Sequence, residues 1–315
     1  MIKAAKLAAA VSFIGLLATG SAASDKLKVI ASFSIIGDLA KNVGGDRVNI
    51  TTFVGPDSDA HAYEPKPADA AAIGGAKVVL MNGLQFEGFM ERLIEVSKTE
   101  ASVVVLSKGA QLIANSEEPE EANATESSSS DGHAGESEGE NDPHAWQSVA
   151  NVRIYVQNIA DAFCAADAQG CGTYRANAQA YSVKLDELDK EIKSGVAEIP
   201  EEKRSIITSH DAFGYFAKAY GIKFMAPEGV STESEASAAD VAALIRQAKE
   251  DKAAAIFVEN ITNPRLIEQI ASETGIKVGG TLFSDALSPP DGPASTYIDM
   301  MHNNITQIKG AILGS

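Results

Sequence analysis

Cysteine is nearly absent from this 315-residue chain, with two in all, and basic side chains are scarce, with 26 Lys and Arg against 43 Asp and Glu. The formal net charge of −17 argues against nucleic acid and anionic membrane surfaces as partners. Cations are the natural ligand class. Beyond the first two dozen residues no segment has the roughly 20 uninterrupted apolar residues that span a bilayer. Nor is there a His-Glu-x-x-His pair of the zinc proteases. Histidine occurs only five times, so each one can be weighed by itself.

What is present at the start reads as an export signal. Lys3 and Lys6 precede an apolar run from Leu7 to Ala18, followed by the small residues of Thr19-Gly-Ser-Ala-Ala23, a pattern of secretory signals with cleavage expected after Ala23. No cysteine lies near that point to carry a lipid anchor, so the expected location is a periplasm, without lipidation. Export places Cys164 and Cys171, six residues between them, where disulfides persist, and one short disulfide is expected. A thiolate metal pair is the competing reading, disfavoured because an oxidising compartment works against it.

Short β-branched runs alternate with helical patterns, as in βαβ units on a parallel sheet. The first half offers strands at Leu27–Phe33, Val48–Val54, Lys77–Met81 and Ser102–Leu106. The second offers Arg204–Thr208, Ile222–Ala226, Ala254–Val258 and Ile276–Leu282. Between them, Tyr181, Leu185, Leu188, Ile192 and Val196 form one apolar stripe on a helix running from Tyr174 to Ile199, with Pro200 as its end. The expected fold is α/β, two (β/α)4-type lobes with four-stranded parallel sheets joined by a long, rigid linking helix. The expected division is a signal peptide at 1–23, a first lobe at 24–171, the linking helix at 172–199 and a second lobe at 200–315.

Residues 116–142 differ from the rest. They hold ten acidic residues, no Lys or Arg, and the run Ser127–Ser130, too little apolar surface to fold alone. Two readings stand: a solvated insertion without a role, or a flexible acidic arm that collects cations or meets a metal-delivering partner, with His133 as an auxiliary ligand.

Three histidines and one aspartate sit where strands end or helices begin. His61 follows the second strand, His144 closes the acidic segment, His210 follows the fifth strand, and Asp285 follows the eighth. Parallel sheets bind ligands outside the carboxyl ends of their strands, so two such edges facing each other would let one ion bridge both lobes. Neutral imidazoles and a carboxylate suit tetrahedral zinc, whereas manganese prefers more carboxylate and water oxygen. The spacing has no compact metal-binding signature, however, and Asp285 by itself would serve equally as a helix N-cap. His302, on a C-terminal helical stretch, is read as facing solvent.

The segments Asp59-Ala-His-Ala-Tyr-Glu-Pro65, Asp142-Pro-His-Ala-Trp146, Ser209-His-Asp-Ala-Phe-Gly-Tyr215 and Leu282-Phe-Ser-Asp-Ala-Leu287 resemble, in order, the four ligand motifs of the zinc and manganese ABC-transporter solute-binding family (cluster A-I). The likeness is strongest to its zinc-specific ZnuA and AztC type. The resemblance implies that His61, His144, His210 and Asp285 hold one Zn2+, with Mn2+ the lesser candidate, and that the cargo passes to a membrane permease driven by a cytoplasmic ATPase. A monomer is expected, and the likeness to the AztC type adds a periplasmic metallochaperone as a donor at the acidic segment. Two departures matter. The histidine-rich loop of many zinc members is reduced to His133 among carboxylates, and His210 stands where manganese members typically have a glutamate. A manganese or iron carrier is the alternative. A zinc hydrolase is the more distant one, since it would leave one coordination position to water and here four side chains fill the sphere.

Overall fold

A computed structural model of the chain describes residues 25–115 and 141–314. The expected signal peptide and the expected acidic arm with His133 lie outside the described residues, apart from Asn141 and Asp142.

The first half runs β1 (Leu27–Phe33), α1 (Ser34–Gly44), β2 (Val48–Val54), α2 (Pro67–Gly74), β3 (Val78–Met81), α3 (Met90–Ser97) and β4 (Ser102–Val105). Helices α4 (Val149–Ala166) and α5 (Cys171–Ala197) follow. The second half is β5 (Ser205–Ile207), α6 (Gly214–Tyr220), β6 (Lys223–Met225), α7 (Ala238–Glu250), β7 (Ala255–Glu259), α8 (Arg265–Thr274), β8 (Val278–Leu282) and α9 (Tyr297–Leu313). Each half forms a four-stranded sheet, ordered β2-β1-β3-β4 and β6-β5-β7-β8, and every pairing is parallel. The two orders are the same with the labels advanced by four. This agrees with the α/β reading and the four strands expected in each half.

Burial follows position in the sheet. Central β3 and β5 are buried throughout, whereas edge strand β4 leaves Val103 and Val105 exposed, as a parallel sheet covered by helices requires of its interior strands. Cys164 and Cys171 are joined as a disulfide, their Cα atoms 4.4 Å apart, so the thiolate-pair reading falls. The bridge spans the turn between α4 and α5.

Helix α5 begins at Cys171, slightly earlier than the stripe alone suggested, and ends before Pro200, which lacks the N–H needed to continue it. Its stripe of Tyr174, Ala178, Tyr181, Leu185, Leu188, Ile192 and Val196 is buried. The helix packs on α1 and α4 of the first half and on α6 and α9 of the second. It is thus a shared wall. The main apolar core runs unbroken from Leu27 in β1 through this stripe to Ile312 in α9, with smaller clusters on the outer faces of both sheets. At Gly195 an added Cβ would come within 2.8 Å of Ile305, so glycine there lets α5 and α9 approach closely.

Leu188 is 1 % exposed at the middle of that wall. Leu188→Ala removes packing and leaves a cavity that the neighbouring helices cannot close, so urea unfolding of the metal-free protein should show a loss of about 2–5 kcal/mol.

Candidate metal centre

The carboxyl ends of the two sheets face one another, and the loops leaving β2, β4, β5 and β8 bring the four expected residues together. His61, His144, His210 and Asp285 each offer one ligand atom, and these atoms lie within 4.8 Å of one another. His144, His210 and Asp285 are fully buried. His61 stands at the rim of a cavity of about 280 Å3 that Phe86, Pro143, Ser231 and Glu233 also line.

Asp285 is the hub. Its Oδ2 lies 3.1 Å from His210 Nε2 and 3.5 Å from His61 Nε2, and its Oδ1 lies 3.7 Å from His144 Nε2. Ligands at about 2.0–2.1 Å on a tetrahedral ion stand about 3.3 Å apart, and these separations bracket that edge. His61 Nε2, His144 Nε2 and Asp285 Oδ1 are buried without a hydrogen-bond partner. Buried polar atoms normally have one, and several lone pairs converging on one point have their natural partner in a cation.

Each histidine is held differently. The His61 backbone N–H donates to Asp59 Oδ1 at 2.9 Å, while Asp59 Oδ2 accepts from Thr232 Oγ1 of the second half at 2.6 Å. The His61 ring meets Phe86 edge-on, centroids 4.6 Å apart. Phe86 follows the left-handed stretch Gly83-Leu84-Gln85, whose tight turn is anchored where Asn82 N–H and Gly83 N–H donate to buried Glu87. The His144 backbone N–H donates to Asp142 Oδ1, which also lies 2.8 Å from His144 Nδ1. Trp146 Nε1 and Gln147 Nε2, just beyond, donate to the carbonyl of Ser284 at 2.9 and 2.7 Å, tying the His144 turn to the residue before Asp285. His210 Nδ1 faces Glu259 Oε2 at 2.7 Å.

The charges are strongly coupled. Burial alone would favour neutral Asp285, but His144 and His210 hold its carboxyl well below the usual carboxylate range. Burial likewise disfavours a charged His210, yet Glu259 and Asp285 on either side outweigh it and raise the imidazole well above its ordinary value.

Sequence reasoning found the four converging residues and set His302 aside, which sits on the surface of α9 with Nε2 3.3 Å from Glu191. It missed two carboxylates. Asp142 was counted with the acidic segment, although its place two residues before His144 is the local signal for a side chain that can reach back to that turn. Glu259 belongs to no motif; only its position as the last residue of β7, at the same sheet edge, points to it.

A doubly wound pair of parallel sheets with a three-histidine, one-carboxylate cluster between their carboxyl ends defines a binding protein for a metal cation. The sequence matches the family described as zinc-uptake complex component A, periplasmic, over residues 29–311. The chain therefore belongs to this ZnuA family of metal ABC-transporter substrate-binding proteins. It is 33 % identical over 300 residues to the manganese-binding lipoprotein MntA of Halalkalibacterium halodurans, covering 93 % of each chain. It is 34 % identical over 290 residues to the iron ABC transporter substrate-binding lipoprotein MtsA of Streptococcus pyogenes, covering 92 % of this chain and 90 % of that one. Among solved structures, the periplasmic zinc-binding protein TroA of Treponema pallidum superposes with a TM-score of 0.81 at 30 % identity, covering 91 % of this chain and 99 % of that one. These are substrate-binding transport proteins rather than enzymes, and members of the family work with ABC-transporter permeases. No helix among the described residues is long and apolar enough to cross a membrane.

Glu259 and Asp285 raise His210 above its ordinary value of 6.5, which favours a proton on the metal-free ring. Its contribution to stability is fully present below that ordinary value and is lost as pH rises through the raised one. A divalent cation bound at Nε2 must displace the proton. Calorimetry at pH 7 in buffers of different ionisation heat should therefore record net proton release on ion binding, with affinity rising with pH; binding without proton release would contradict this charge arrangement.

Proposed function

We propose that this protein captures Zn2+ in the periplasm, holds it on His61, His144, His210 and Asp285, and delivers it to an ABC-transporter permease. The observation that carries this reading is the convergence of three imidazole Nε2 atoms on one buried carboxylate. Three nitrogen donors and one oxygen match the borderline-soft character of zinc, whereas manganese favours sites richer in oxygen. The four side chains leave no position set aside for an activated water, which suits a carrier.

Supporting parts of the reading come from the sequence. The amino-terminal pattern of Lys3, Lys6 and the apolar run that follows favours export to the periplasm. The acidic segment ending at Asp142 is a place where a donor protein could bring metal. The division into a first lobe at 24–171, a linking helix at 172–199 and a second lobe at 200–315 makes the cleft between lobes the cargo site.

The second reading is a manganese or iron carrier, favoured by relatives named as manganese- and iron-binding. Metal analysis of protein purified from the periplasm, followed by a zinc–manganese competition titration, separates the two. One zinc per chain and preference for zinc over manganese are expected. His210→Ala should lower zinc affinity by more than the roughly 10–100-fold that loss of an outer hydrogen-bonding partner costs. Unchanged affinity would remove His210 from the site, and preference for manganese would establish the second reading.

A further inference from the structure

Glu259 is a buried carboxylate, 3 % exposed, at the last position of β7. Its ion-pair partner among the described residues is His210, with Oε2 2.7 Å from Nδ1. Its other oxygen, Oε1, accepts from the backbone N–H groups of Ser209 and His210 at 2.8 and 3.0 Å. Two backbone donors thus occupy Oε1, and the close neighbour of Oε2 is the His210 ring. With metal bound, a proton kept on Nδ1 beside Glu259 would leave Nε2, the nitrogen 3.1 Å from Asp285 Oδ2, with the lone pair that ligation needs.

We infer that Glu259 is the positioning residue of the metal centre: it fixes His210 in the Nδ1–H tautomer and aims Nε2 at the cargo. This rests on the four-ligand reading proposed above. Asp142 has the same relation to His144 but reaches it from the same turn, two residues away. Glu259 instead comes from a different strand: it accepts from the backbone of Ser209 and His210, holding the loop after β5 in register with the end of β7, and stands 2.7 Å from the ring it orients.

Glu259→Gln tests this. The amide either turns an N–H toward Nδ1, forcing the proton onto Nε2, or turns its oxygen there and loses the two backbone donors. Competition titration should show zinc affinity lowered by about 10–100-fold. The cycle with His210→Ala identifies the route: once the ring is gone, adding Glu259→Gln should change affinity by no more than about twofold, whereas an effect that persists would make Glu259 a general structural residue and overturn the inference. Undiminished affinity in Glu259→Gln, with His210→Ala impaired, would overturn it and leave the four-ligand reading standing. Unimpaired His210→Ala would overturn both. If Glu259→Gln does not fold, the nitrogen spectrum of the histidine rings in zinc-loaded wild-type protein decides. A protonated Nδ1 and metal-bound Nε2 at His210 support the inference, and metal on Nδ1 refutes it.

Discussion

A single desolvated charge organises this molecule. Asp285 is fully buried and faces three imidazoles, and a carboxylate in that position is stable only if positive charge is close by. The imidazole raised toward its charged form is His210, flanked by Asp285 and Glu259. A bound cation would take over the role with greater charge and better geometry.

The frame around that charge is stiff at the buried side chains and more open beside His61. A continuous core joins both sheets through α5. Across the cleft Trp146 and Gln147 bind the carbonyl of Ser284, and the Tyr297 hydroxyl donates to the carbonyl of Trp146 at 2.8 Å. These bonds fasten His144 to the loop of Asp285 from both sides. His61 differs: its ring is flanked by Phe86 and opens on the rim cavity, and its loop is tied to the second half through Asp59 and Thr232. The asymmetry gives three deeply buried side chains and one beside the cavity.

Relatives named for manganese, iron and zinc share this fold, so architecture does not select the metal. Selection lies with the donor atoms and with the groups behind them. An imidazole backed by a carboxylate is more electron-rich than one that is not, and it presents one chosen nitrogen. In this chain two of the three histidines have such backing, at Asp142 and Glu259, which makes the outer carboxylates part of the specificity question.

Much of this was legible in the residues themselves. Alternating apolar runs and helical stripes encode local burial, so the eight strands, the long helix with its buried stripe, and the disulfide turn could be read in order along the chain. The loops after strands were readable too, because parallel sheets place ligands at their carboxyl ends. Burial periodicity carries no record of which distant residues meet, and for that reason the pairing of Glu259 with His210, the reach of Trp146 to Ser284 and the continuity of the core through α5 emerged only in the folded chain. The sequence by itself determined the elements and the candidate donors. The tertiary structure decided which nitrogen each histidine turns inward, because that depends on carboxylates and carbonyls brought beside the rings by folding, one of them 49 residues away in the chain.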